Sequence, residues 1–120
     1  MTYRVTGCSF EPKPSAFGGT AGEFTLDVVV TNHTSDLVTW DARGYVFKHG
    51  VGVTDHDLRS SALAPGGTQT LELDDPAWYA SGESAPSVDE VTCQVLDASY
   101  HDLTTGAFNL PSVNGETTDE

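Results

Sequence analysis

Positive charge is what this sequence has least of. Lys and Arg together number 5, against 18 Asp and Glu, for a formal net charge of −13. A chain this acidic is repelled by a phosphate backbone, which excludes nucleic-acid binding. It is equally repelled by an anionic bilayer surface. No apolar run approaches the roughly 18 residues that a membrane-spanning helix needs, so membrane insertion is not expected either. Met1-Thr2-Tyr3-Arg4-Val5 lacks the charged-then-apolar pattern of a secretory leader. As written, the chain reads as cytoplasmic, or as extracellular if it is the trimmed mature form of a longer precursor.

Sulfur is scarce as well. Cys8 and Cys93 are the 2 cysteines and Met1 the single methionine. With no C-x-x-C, neither thioredoxin-like redox chemistry nor a paired-thiolate zinc site is available. A blue-copper centre would need Cys, His and usually Met close together. Cys93 and His101 are near one another in sequence, but the methionine is at the far end of the chain. Neither the G-x-S-x-G elbow of a serine hydrolase nor the H-E-x-x-H of a zinc protease occurs. The chain is therefore not expected to be an enzyme, and no cofactor is implied. Without an export signal, Cys8 and Cys93 are expected as free thiols.

What remains is strand pattern. The chain has 120 residues, 38% of them apolar, enough for one domain with one core. Phe24, Leu26, Val28 and Val30 alternate with Thr25, Asp27, Val29 and Thr31, the period of a half-buried strand. Val38 with Trp40, Leu71 with Leu73, and Val91 with Cys93 and Val95 repeat the pattern. Tyr3 and Val5 differ in parity from Cys8 and Phe10, and a bulge at Gly7 brings all four to one side. Asp41-Ala42-Arg43-Gly44 fits a type I turn, Gly50 and Gly52 a bend or bulge, and Ala64-Pro65-Gly66-Gly67 a type II turn. The run from Ala98 to Leu110 has the outline of a closing hairpin around Thr104-Thr105-Gly106. The reading is all-β: a β-sandwich of seven or eight antiparallel strands over residues 1–111, with a flexible acidic tail at 112–120. Trp40 is expected between the two sheets.

Two stretches carry a family likeness. Phe24-Thr25-Leu26-Asp27-Val28-Val29-Val30-Thr31-Asn32-His33-Thr34 and Leu63-Ala64-Pro65-Gly66-Gly67-Thr68-Gln69-Thr70-Leu71 together resemble prokaryotic immunoglobulin-like domains of the FxLYD type and their surface-adhesion relatives. The likeness covers residues 22–97, without the Phe-x-Leu-Tyr-Asp signature itself. It implies an immunoglobulin-like fold and a binding or structural role, and it transfers no catalytic residue.

The candidate site is the segment from Asp74 to Ser87, read as a long loop at one end of the sandwich. Loops there carry recognition residues while the sheets hold them. Asp74 and Asp75 supply charge, and Trp78 and Tyr79 are residue types enriched at binding hot spots. The competing reading is that Trp78 folds back as a lid over the open end of the sandwich. The implied partner is a protein, of basic character if the acidity serves recognition. Solubility and salt adaptation are the other uses of that charge. The alternative is a small metal-binding protein or enzyme using His49, Asp55, His56 and Asp57, since Asp and His ligate zinc and transition metals.

Overall fold

The computed structural model describes residues 1–14, 20–48, 50–79 and 90–114. Its strands are β1 (Thr2–Pro14), β2 (Thr20–Thr31), β3 (Val38–Lys48), β4 (Val51–Arg59), β5 (Thr68–Tyr79), β6 (Val91–Asp102), β7 (Leu110–Pro111) and β8 (Val113–Asn114). No α-helix is present among the described residues. Two four-stranded sheets pack face to face: sheet 1 in the order β5-β2-β1-β8, sheet 2 in the order β4-β3-β6-β7. The expected antiparallel pairing holds except at the edge, where β8 runs parallel to β1.

Period-2 alternation fills the space between the sheets. Sheet 1 contributes Phe10, Phe24, Leu26, Val28, Val30, Leu71 and Leu73, and sheet 2 contributes Val38, Trp40, Ala42, Val46, Leu58, Val91 and Val95. Trp40 is 1% exposed, as its parity requires. Its ring lies 5.5 Å from that of Tyr3, and its Nε1–H donates to Ser112 Oγ at 2.9 Å, so the indole's polar atom is satisfied. The β1 bulge falls between Val5 and Gly7, which restores Cys8 and Phe10 to the core side. A Cβ on Gly7 would meet Asp27 Oδ2 at 2.6 Å, so a larger residue there displaces the Asp27 carboxylate.

Several expectations need correction. Asp41-Ala42-Arg43-Gly44 is not a turn but the middle of β3. Gly44 packs against the opposite sheet: a Cβ there would lie 2.8 Å from Leu26 Cδ2. Its glycine serves packing, and the turn-like composition is incidental. The reversal comes later, where Lys48 pairs with Val51 and Gly50 has a φ of 79°, and Val53 is the bulged residue opposite Val46 and Phe47. The segment read as a loop from Asp74 is strand as far as Tyr79, held by pairing with β2 down to Thr20. Residues 80–87 of that expected loop lie outside the described residues. The expected tail also begins too early, since Val113 and Asn114 pair with Thr2 and Tyr3.

The expected free thiols are instead a disulfide. Cys8 in β1 and Cys93 in β6 are bonded, with Cα atoms 5.9 Å apart, and the bond ties sheet 1 to sheet 2. Both side chains turn inward from facing strands. Closing a loop of 85 residues restricts the unfolded chain by about 4–5 kcal/mol in the chain-entropy model.

The two stretches that carry the family likeness form one structural unit. Asn32, 0% exposed, donates from Nδ2 to Leu63 O and to Asp36 O, each at 2.9 Å, and its Oδ1 accepts from the Thr34 N–H and hydroxyl. Its backbone N–H donates to Gly67 O, and the Gly66 N–H donates to Asn32 O. Gly66 has the φ of 79° that a type II turn demands, and the Gly67 N–H closes it on Ala64 O at 2.8 Å. The shared pattern is thus a clamp between the end of β2 and the start of β5, and it carries structure rather than recognition.

Candidate binding surface

With alternate side chains committed to the core, each sheet presents its other face to water. On sheet 1 the outward rows are Thr2–Thr31–Thr68, Arg4–Val29–Thr70, Gly7–Asp27–Glu72 and Ser9–Thr25–Asp74. Asp27 and Glu72 sit directly opposite one another, an unfavourable like-charge pair. A hydrogen bond to Asp74 and the charges of Asp74, Asp27 and Glu23 hold the Glu72 carboxyl above its usual range. The Thr25 hydroxyl donates to Asp74 at 3.2 Å. This is an acidic, hydroxyl-rich surface on which Asp27 Oδ1 is buried without a hydrogen-bond partner.

Sheet 2 presents different chemistry. Its outward rows are Thr39–His101, Arg59–Asp41–Ser99, Asp57–Arg43–Leu96 and Asp55–Tyr45–Gln94, followed by Phe47 beside Thr92. Arg43 organises the middle. Its Nε donates to Asp55 Oδ2 at 2.9 Å and its Nη1 to Asp57 Oδ1 at 2.8 Å, so one guanidinium holds two carboxylates of the neighbouring strand. That hydrogen bond keeps the Asp57 carboxyl below its usual range, and the Arg43 guanidinium is raised in turn. Beyond the clamp, Tyr45 and Phe47 stack with ring centroids 6.2 Å apart. The pair borders a shallow groove closed by Gly52, Val53 and Thr54. At the other end a groove of about 430 Å³ is rimmed by Arg59, Asp41, Ser99, His101 and Phe108. Phe108 stands 69% exposed, its ring edge-on to His101 at 5.9 Å. Val51, Val53, Leu96 and Phe108, large apolar side chains left open to water, all lie on or beside this face.

The sequence-predicted residues are scattered across this geometry. Asp55 and Asp57 point outward into the Arg43 clamp. His56 has the opposite parity and lies 3.9 Å from Asp75 Oδ1, across the gap between the β4 and β5 edges. His49 lies outside the described residues. Of the quartet His49, Asp55, His56 and Asp57, the described members Asp55, His56 and Asp57 are not brought together as metal ligands, because strand alternation separates neighbours. No grouping of three or more metal-ligating side chains occurs among the described residues. Asp74 and Asp75 belong to β5 and face opposite sides of sheet 1. Trp78 and Tyr79 pair through their backbones with Ala21 and Thr20, and their side chains lie outside the described part of the structure. Cys8 and Cys93 are bonded to each other, which leaves His101 no thiolate to act with.

Sequence reading missed Arg43, Tyr45 and Phe47 altogether. The signal was the β3–β4 reversal: once Lys48 pairs with Val51 and the bulge at Val53 shifts the register by one residue, Arg43 stands opposite Asp57 and Tyr45 opposite Asp55.

At one end of the sandwich, buried Asp102 accepts the Thr104 and Thr105 N–H groups at 2.9 and 3.0 Å and fixes the turn after β6. A hydrogen bond shared with Asp36 keeps Asp102 below the usual carboxyl range and raises Asp36 above it. The partner groups of this carboxyl pair are all structural.

The fold and surface define a disulfide-linked all-β sandwich with one acidic face and one mixed, partly apolar face. No family model matches the chain, and no curated protein matches it either.

Proposed function

We propose that this chain is a non-enzymatic binding or assembly module, an immunoglobulin-like sandwich that contacts a protein partner through the outward face of sheet 2. The observation that carries the reading is the segregation of surface chemistry. Of the exposed large apolar groups on described strands, Val51, Val53 and Leu96 lie on sheet 2 with the Tyr45–Phe47 stack and Val113 on the edge of sheet 1, whose outward rows are mostly Thr, Asp and Glu. Aromatic groups flanked by a held arginine are the composition of recognition surfaces. The immunoglobulin-like assignment draws support from strand order. β1, β2 and β5 lie together in one sheet, β3, β4, β6 and β7 in the other, and the buried Trp40 sits on the third strand. The disulfide differs from the usual one by joining the first and sixth strands. It favours an oxidising, extracellular setting over the cytoplasm.

The net charge of −13 favours a basic partner and fast, salt-sensitive association. The metal-binding or enzymatic alternative draws no support from the geometry, since Arg43 already occupies Asp55 and Asp57. Affinity capture from the producing cells tests the proposal. Wild-type protein should retain a partner that a Tyr45→Ser/Phe47→Ser variant loses at unchanged thermal stability. Equal capture by both would overturn it.

A further inference from the structure

β6 is paired on one side only for much of its length. β3 covers one edge from Val91 to Asp102, whereas β7 covers the other at Ser99 and Tyr100 alone. Among the described residues no strand pairs with the outer edge of Val91–Asp97. The chain leaves that edge for identifiable reasons. Pro111 has no N–H with which to extend the ladder. Asp97 holds a left-handed φ of 57° where β6 bulges opposite Ala42. Ser112 then crosses to sheet 1, its N–H on Ala98 O at 3.3 Å and its hydroxyl accepting Trp40 Nε1, and Val113 pairs with β1 instead.

Natural sheets guard such edges with charge, proline or bulges. β5 carries Glu72, Asp74, Asp75 and Pro76. β4 carries Asp55, Asp57 and the bulge at Val53. The outer edge of β1 has Pro12, Lys13 and Pro14. Val91-Thr92-Cys93-Gln94-Val95-Leu96 has no charge and no proline, and it is rich in β-branched residues. Beside it lies a groove of about 400 Å³ between β1 and β6, lined by Tyr3, Val5, Cys93, Gln94, Val95 and Asn114. The disulfide fixes the distance between the two strands there.

We propose that the open edge of β6 accepts an extended segment of a protein partner as an added strand, alternate apolar side chains seated between β1 and β6 and basic residues at its ends. This rests on the reading as a binding module. Main-chain hydrogen bonds supply affinity in strand addition, and the groove selects side chains. Charge selects the occupant. Asp89-Glu90 and Asp97 bracket the neutral run in sequence, and a net charge of −13 opposes a second copy or an acidic segment. The chain's own last residues, Gly-Glu-Thr-Thr-Asp-Glu, contain no apolar side chain to enter the groove.

The probe is the synthetic peptide acetyl-Lys-Val-Thr-Val-Thr-Val-Lys-amide, added to the intact chain and followed by residue-resolved amide exchange. Alternate amides between Val91 and Asp97 should slow by about tenfold or more at saturation, as expected for newly formed ladder bonds. Exchanging Lys for Glu should weaken binding by about tenfold at low salt, and N-methylating one edge of the peptide should abolish it. Absence of binding, or protection on β4 or β5 instead, overturns the proposal. A dimer with protected β6 amides in the absence of peptide makes a second copy the occupant and also overturns it. If a natural partner is lost on substituting Tyr45 and Phe47 yet leaves the β6 amides unprotected, strand addition fails while the binding module stands.

Discussion

The outward faces of the two sheets are built on the same backbone pattern and have opposite chemistry. On sheet 1, Asp27 faces Glu72 across the strand pair and no arginine lies between them. On sheet 2, Asp55 and Asp57 are neighbours on the outward face of β4, but Arg43 stands opposite and takes both. Sheet 1 thus presents hydroxyls and carboxylates that contact would have to desolvate. Sheet 2 neutralises its carboxylates and leaves Tyr45, Phe47, Val53 and Leu96 as the accessible surface. The difference separates a face that keeps the molecule in solution from one that can be desolvated on contact at lower cost.

The largest expected effect concerns what both faces depend on, the link between the sheets. A Cys8→Ser/Cys93→Ser variant should lose about 4–5 kcal/mol, measured by denaturant unfolding, because the closed loop spans most of the chain. A loss under about 1 kcal/mol would mean the core alone holds the sheets together. Trp40→Ala should cost about 3–5 kcal/mol as a large-to-small change in a filled core. Gly44→Ala should cost about 1–3 kcal/mol by overpacking against Leu26. A neutral result at Gly44 would show that the sheets can move apart there.

The smallest effects separate the two faces by the sign of their response to pH. Glu72 is raised in the folded state, so its contribution to stability grows as the pH falls from neutral through that raised value, and stops growing below the unfolded value near about 4.3. Asp57 is lowered, so its contribution is full above the unfolded value near about 3.9 and is lost as the pH falls through the folded one. Melting temperature against pH should therefore lose part of its mildly acidic rise in Glu72→Gln and part of its strongly acidic fall in Asp57→Asn. Exchanged assignments would contradict the contrast between the faces. Asp36→Asn should stabilise the chain at neutral pH, because the amide donates to Asp102 where a carboxylate is repelled.

Much of the core was legible because it rests on alternation. Phe24 to Val30 is an unbroken period-2 run, and the parity change around Gly7 allowed one physical solution. The Pro65-Gly66 turn was legible because glycine takes its positive φ at the least steric cost. Asp41 to Gly44 misled because the small residues Ala42 and Gly44 at inward positions weaken the apolar signal where Leu26 packs across from them. Asp74-Asp75-Pro76 misled because acids and proline read as a break, yet an edge strand tolerates both. The disulfide was geometrically open from the bulge at Gly7, but whether two inward cysteines bond depends on the compartment, which the residues themselves do not state. The recognition surface was hidden for another reason: it is made by register across β3, β4 and β6, which no single stretch of sequence displays.

The central claim is that sheet 2, and not sheet 1, meets the partner. It is tested most directly by placing a photo-crosslinking amino acid at Tyr45 or at Thr70, outward positions on an inner strand of sheet 2 and on the more exposed edge strand of sheet 1, in the cells that make the protein. The account predicts a discrete crosslinked species from Tyr45 and none from Thr70. A crosslink from Thr70 with Tyr45 silent would contradict it.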